Sequence, residues 1–258
     1  MNHIIIAGYG YVGKAVEHAL QSTSEVSIVD PQYNDNTIAD FPDADGVVIC
    51  VGTPSTATGD CDVGQIYKVM DQIPIHLPVL IKSTIRPDYL NRLLVNYPRH
   101  SICYSPELLR AATANTDFIS QKYMIIGGED PESFWQLVFQ KALPECKLFL
   151  NCSLTEAALV KYSINAFLSV KVTFFNQLYD VCQKNGADFN LIRQLMLHDT
   201  RIGTSHTMTP GPDGTRGFGG GCFPKDMDAY IHYIDTLQQS HTLVESAIKY
   251  NKKIRKNT

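Results

Sequence analysis

The stretch IIIAGYGYVGKAV, residues 4–16, decides how the chain is read. It opens as a β-branched apolar run and closes as the start of a helical pattern, with Gly8, Gly10 and Gly13 between them in the spacing G-x-G-x-x-G. That spacing alone is weak. Directly after a strand and opening a helix, it becomes a dinucleotide fingerprint. Gly8 permits the tight turn, Gly10 lets a pyrophosphate approach the backbone, and Gly13 lets the helix pack close to the strand. The free N–H groups and positive end of that helix favour phosphates. Asp30 is the acid expected at the end of the second strand. Its carboxylate accepts hydrogen bonds from a ribose 2′-hydroxyl and repels a 2′-phosphate, so the expected cofactor is NAD and not NADP.

Outward from this turn, short apolar runs at 3–7, 26–30, 47–51, 79–82, 102–104, 123–127 and 147–150 read as strands, and residues 11–21, 63–73 and 131–142 as helices. Near-continuous apolar strands suit a parallel sheet buried on both faces, and the alternation predicts an α/β, Rossmann-like, doubly wound sheet. Ligands of such sheets sit outside the carboxyl ends of the strands. Gly52, Thr53 and Pro54 of CVGTPS, and Ser83 and Thr84 of IKSTIRP, close two strands and are expected to face cofactor or substrate, together with Tyr11 and Val12 of the fingerprint. Each of these strand ends, taken alone, also fits an ordinary strand-terminating turn.

After residue 150 the pattern becomes helical. One long helix is expected through TEAALVKYSINAFLSVKVTFFNQL and beyond, with Ser153 and Glu156 as a capping box and Gly186 as the stop. At roughly 30 residues it would extend about 45 Å, longer than a small domain, so part of its apolar surface is expected to pack against a second copy. Residues 189–197, 224–239 and 242–255 read as helices, and 199–221 as irregular. The predicted domains are 1–152, binding NAD, and 153–258, an all-helical dimerisation and catalytic-loop domain.

The 258 residues carry a formal charge of −4, and basic residues cluster only at Lys252, Lys253, Arg255 and Lys256. That tail reads as a solvated helix end, so no nucleic-acid partner is expected. Seven cysteines without a C-x-x-C pair argue against a disulfide framework or a zinc site and for a reducing, cytoplasmic setting. No metal ligands are expected. The apolar stretches read as too short to span a bilayer, so no membrane association is expected.

In GFGGGCFPKD, residues 217–226, a cysteine follows a run of glycines and precedes Pro-Lys-Asp. With Pro224 in the first turn of the next helix, Cys222 would sit at a helix N-terminus, a setting that favours a reactive thiolate. Lys161 and Asn165 stand four apart on the long helix and so share a face.

The stretches GYGYVG, VGTPS, KSTIRP, SPELLRAATANTDF, TEAALVKYSINAFLSVKVTFFNQL, DTRIG and GFGGGCFPKD cover nearly the whole chain in order. In them the chain resembles the UDP-glucose/GDP-mannose dehydrogenase family, which oxidises carbon 6 of a nucleotide sugar to a carboxylate with two NAD. The resemblance implies Cys222 as the nucleophile of a thiohemiacetal and thioester. It implies Lys161 and Asn165 as oxyanion stabilisers, and Asp226 as the partner of Lys161 that positions the hydrolytic water with Thr84. Glu107 would be the acid-base group, flanked on the substrate by Leu108, Leu109 and Arg110. Gly217, Phe218, Gly219 and Gly220 would form the substrate loop, and Arg201 would reach the active site of the other subunit of a homodimer.

There are departures. Ala111 stands where the family has a second glutamate, residues 30–46 lack its usual helix, and TMTPGPDGTR remodels the loop before Cys222. The chain stops where the family's C-terminal nucleotide-gripping domain would begin, so a compact form is expected. A β-hydroxyacid-type dehydrogenase shares the plan but needs no thiol, and a dimeric, catalytically impaired NAD-binding protein is the non-enzymatic alternative.

Overall fold

The structure, a computed structural model, describes residues 1–255; Lys256 of the basic tail lies outside the described residues. The chain forms two compact units, one of Met1–Thr56 with Cys61–Lys161, the other of Ala57–Asp60 with the chain from Tyr162 onward.

The first unit is built on β1 (Asn2–Ala7), β2 (Ser24–Val29), β3 (Gly46–Ile49), β4 (Val79–Ile81), β5 (Ile102–Tyr104), β6 (Tyr123–Gly128) and β7 (Leu148–Cys152), in the spatial order β2-β1-β3-β4-β5-β6-β7. Between them run α1 (Tyr11–Leu20), α2 (Gly64–Met70), α3 (Pro87–Asn96), α4 (Ala114–Ile119) and α5 (Phe134–Ala142). Residues 30–46 carry only a single 3₁₀ turn, Ile38–Asp40. One core gathers Ile4, Ile6, Val48 and Leu80 of the sheet with Val16, Phe118, Trp135 and Phe139 of the helices. An aromatic as deeply buried as Phe139 contributes on the order of 3–5 kcal/mol against truncation to alanine.

The sheet is mixed and not parallel throughout, which corrects the sequence reading. β1 through β5 run parallel, but β6 pairs with β5 antiparallel, Cys103 opposite Gly128, and β7 follows β6 in parallel. The connection after β5, with the short α4, re-enters the sheet at the end where β5 leaves it. A short apolar strand reads the same in either direction, so YMIIGG carries no sign of its reversal.

The helix expected at 131–142 begins at Phe134, after a 3₁₀ turn in which Glu132 and Ser133 take φ of 51° and 57°. The cause is Asp130, whose carboxylate accepts the N–H groups of Trp135 (2.9 Å) and Gln136 (3.0 Å) and so caps α5 from outside it.

α6 (Leu154–Asn185) starts at the predicted capping box: Ser153 N and Oγ donate to Glu156, and Glu156 N donates to Ser153 Oγ. It ends at Gly186, φ 62°, with Ala187 N donating to Cys182 O. Among the described residues it is the one helix long and apolar enough, by length and composition, to cross a membrane, which corrects the expectation that no stretch was. A buried core helix meets the same criterion, and α6 buries Ala158, Tyr162 and Phe175 along with the polar Lys161, Asn165 and Asn176.

The second unit continues α6 into α7 (Phe189–Met196), α8 (Phe223–Thr236) and α9 (Thr242–Arg255). Asp188 caps α7 by accepting from Asn190 and Leu191 N–H. Phe218, Met227, Ala166 and Val244 form one small core, and Phe175, Cys182 and Phe189 another.

Candidate functional site

The glycine turn is over-determined by packing. Gly8 has φ +94°, and a Cβ there would lie 2.6 Å from Val51 N; a Cβ on Gly13 would lie 2.2 Å from Gly8 O. Around Gly10 there is no atom within 4 Å of a Cβ position, and the residue is exposed. The outer glycines are therefore required by the protein itself, while the middle one opens a backbone cradle of the kind a pyrophosphate fills. Asp30 Oδ2 accepts Tyr9 N (2.6 Å) and Oδ1 accepts Gln32 N (2.8 Å), which fixes the carboxylate at the lip of this turn. Tyr11 and Val12 begin α1 beside it. The residues fit NAD. Asp30→Ala is expected to weaken NAD roughly 10- to 100-fold, through loss of a charge-assisted hydrogen bond, and NADP far less. Titrating both cofactors by NADH and NADPH fluorescence tests this; equal losses would remove Asp30 from the ribose.

At the neighbouring strand ends, Thr53 Oγ1 donates to Thr84 O and Ser83 Oγ to Val51 O, both at 2.7 Å. These hydroxyls lock the two ends together, and Gly52 and Pro54 are left exposed beside them.

Glu107 lies beyond β5, buried, with Lys82 Nζ 3.0 Å from its Oε2 and Leu108 N donating to its Oε1. Lys82 is 3 % exposed, donates to Ser105 Oγ (3.2 Å), and lies 5.2 Å and 5.9 Å from the ring centroids of Phe118 and Phe139. Sequence reasoning gave it no role. The available signal was a lysine closing an apolar strand, which needs a counter-charge if buried. Lys161 Nζ donates to the backbone oxygen of the same Glu107, at 2.5 Å. Glu107, Leu108 and Leu109 line a cavity of about 190 Å³. Arg110 is exposed and bound to Asp117, whose carboxyl its hydrogen bonds hold well below the usual range.

In the second unit Cys222 is the N-cap of α8, half-buried, with Phe223 and Pro224 in the first turn. Asp226, one turn on and 1 % exposed, accepts Asn165 Nδ2 (2.6 Å) and Lys225 Nζ (2.7 Å). Its expected partner Lys161 belongs to the first unit and Asp226 to the second. The carboxylate takes its adjacent lysine and the asparagine one turn farther along α6, while the Lys161 ammonium serves the Glu107 carbonyl. Gly217 and Gly220 take φ of 76° and 74° and bracket the buried Phe218. Arg201 is exposed and paired with Asp199. Of the other cysteines, burial pushes the Cys50 and Cys103 thiols up to about 12, far from reactivity at neutral pH.

A sheet of this order, with a glycine turn and a terminal acid on its second strand and a long helix leading into a helical region, defines a dinucleotide-dependent dehydrogenase fold. The NAD binding domain of the UDP-glucose/GDP-mannose dehydrogenase family matches residues 16–141, and the family's central domain matches residues 155–253. The chain belongs to this family. It is 31 % identical over 254 residues to a UDP-glucose 6-dehydrogenase of Rickettsia bellii, covering 94 % of this chain and 55 % of that protein. It is 31 % identical to a UDP-glucose 6-dehydrogenase of Bacillus subtilis, covering 81 % and 48 %. The chain thus spans about half the length of these relatives. A UDP-glucose dehydrogenase structure from Pyrobaculum islandicum superposes with a TM-score of 0.84 at 23 % identity, over 98 % of this chain and 68 % of that one. A 3-hydroxyisobutyrate dehydrogenase of Mycobacterium tuberculosis shares the fold at 0.77 and 15 %, over 98 % and 93 %.

Proposed function

We propose that the protein oxidises the carbon 6 alcohol of a nucleotide sugar of the UDP-glucose kind to the uronate, in two two-electron steps. The observation that carries this reading is Cys222 at the start of α8, with a buried Asp226 one turn on that is hydrogen-bonded to Asn165. NAD supplies the hydride acceptor for each step. Glu107 takes the alcohol proton as the aldehyde forms. The Cys222 thiolate adds to the aldehyde carbon, and the resulting oxyanion, stabilised by the Lys161 ammonium and the Asn165 amide, is protonated to a thiohemiacetal. A second hydride loss, with loss of that proton, leaves a thioester. Water held by Asp226 and Thr84 then cleaves the C–S bond, giving the carboxylate and returning the thiol. Each turnover consumes one water and two NAD and yields two NADH. Leu108, Leu109, Arg110 and the loop Gly217–Gly220 are assigned to the substrate. Seven free thiols suit a reducing compartment such as the cytoplasm.

Counting NADH per UDP-glucose consumed tests the reading. Two per sugar supports it, one would favour the β-hydroxyacid-type chemistry, and none with any nucleotide sugar would leave an impaired NAD-binding protein.

The assembly assigned is a homodimer through α6. Phe167, Phe174 and Val181, 66 %, 51 % and 52 % exposed, recur every seven residues on one face of that helix. Light scattering at micromolar concentration is expected to give a dimer, with an interface of roughly 1,600 Å² in total, and Phe174→Glu a monomer. A monomeric parent protein would leave Arg201 without the partner active site assigned to it.

A further inference from the structure

We propose that Asn251, well along α9, is a positioning residue that sets the shape of the glycine loop in front of Cys222. The inference rests on the reading of Gly217–Gly220 as the loop that takes the substrate.

Asn251 is 6 % exposed and uses both ends of its amide on one residue: Oδ1 accepts the N–H of Phe218 and Nδ2 donates to the Phe218 carbonyl, each at 2.8 Å. Both backbone groups of Phe218 are thereby satisfied away from any sheet or helix ladder. The preceding Gly217 N donates to Asn176 Oδ1 (3.1 Å), and Arg255 Nη1 donates to the carbonyls of Arg216 (3.2 Å) and Gly217 (3.4 Å). The loop in turn is cut to fit this clamp. A Cβ on Gly217 would lie 2.2 Å from Asn251 Oδ1, and one on Gly219 would lie 2.6 Å from the Arg255 guanidinium. The Phe218 ring, 4 % exposed, anchors the same residue in the core with Met227 and Val244. Residues 217–221 therefore have their inner backbone held at Phe218, with Gly217 and Gly220 turning the chain on either side at positive φ.

The chemistry selects asparagine. Paired with one residue's N–H and C=O together, a side chain must be both acceptor and donor at one trigonal carbon. Aspartate lacks the donor, and leucine lacks both. Losing either bond leaves a buried backbone group without its partner, and a loop of glycines has little intrinsic preference with which to hold its shape. None of the atoms of Asn251 is assigned to substrate or cofactor, so its effect would pass through the loop.

The test uses the full chain with Asn251→Asp and Asn251→Ala, probed by amide hydrogen exchange over 213–224, by Cys222 alkylation with iodoacetamide, and by kinetics with UDP-glucose. Exchange at Gly217 and Phe218 is expected to accelerate roughly tenfold or more, and KM to rise by a similar factor with a smaller change in kcat. The Cys222 alkylation rate should shift as the loop loosens. A lowered melting temperature with unchanged exchange and unchanged KM would overturn the proposal, leaving Asn251 a packing residue of α9. If neither variant folds, hydrogen exchange in the parent protein decides: the Phe218 N–H held by Asn251 Oδ1 should exchange at least roughly tenfold more slowly than the amides of 219–221, and exchange at the same rate would overturn the proposal. Should the parent turn over no nucleotide sugar, the proposed reaction fails on its own, while exchange and alkylation still decide the clamp.

Discussion

Cys222→Ser is expected to abolish complete turnover and to trap substrate on the protein. A serine hydroxyl in the same place can add to the aldehyde, and loss of a second hydride then gives an ester. That ester hydrolyses poorly because an alkoxide is a worse leaving group than a thiolate. Intact-mass measurement after incubation with NAD and UDP-glucose should show the variant plus the acyl nucleotide sugar, with NADH formation stopping after a burst. Lys161→Ala should fail earlier and without an adduct, since it removes the charge opposite the first oxyanion. Loss of one such donor typically costs about 10² to 10³ in rate. Unchanged oxidation by Cys222→Ser would remove the cysteine from the reaction and favour the simpler chemistry of a β-hydroxyacid-type enzyme.

Lys82→Met should produce the largest loss of stability among single changes near the site. Lys82 and Glu107 are 3 % and 8 % exposed, 3.0 Å apart, and Lys82 faces aromatic rings on its other side. Such a pair contributes little beyond a well-packed apolar pair, because both ions were taken out of water. Breaking it is another matter. Glu107 is left as an unpaired buried carboxylate, at a cost of roughly 3–5 kcal/mol. For a chain of this size that is a fall in melting temperature on the order of 10 °C. Glu107→Gln placed on top of Lys82→Met removes the stranded charge and should recover part of the loss, which separates the ion pair from simple packing. A single variant that melts within a few degrees of the parent would show that the pair does not hold β4 to the segment after β5.

The two experiments probe features that differ in how visible they were beforehand. Cys222 is conspicuous, a thiol between glycines and Pro-Lys-Asp, and its place at the start of α8 follows from Pro224 close behind it. The fingerprint glycines are equally local: the strand before them, the helix after them and the acid at the end of β2 all lie within residues 2–30. Lys82 lies in IKSTIRP, but nothing local marks it, because its partner is 25 residues away and only burial makes the partner necessary.

By itself the sequence determined the seven strands, the helices α1 and α2 and those of the second unit, the cofactor turn with Asp30 beside it, the capping box at Ser153 and the stop at Gly186. Each is set by residues within a few positions of one another, so backbone sterics and local hydrogen bonds decide it. Only the tertiary structure decided the reversal of β6, since a short apolar strand carries no mark of direction. Only it moved the start of α5 to Phe134, through a carboxylate outside the helix. The partners of the buried polar groups were likewise its work: Glu107 to Lys82, Asp226 to Asn165 across 61 residues, and Asn251 to Phe218 across 33. A buried charge or amide must find a partner, but which one is settled by packing that brings distant segments together, and residue type and spacing do not encode that meeting.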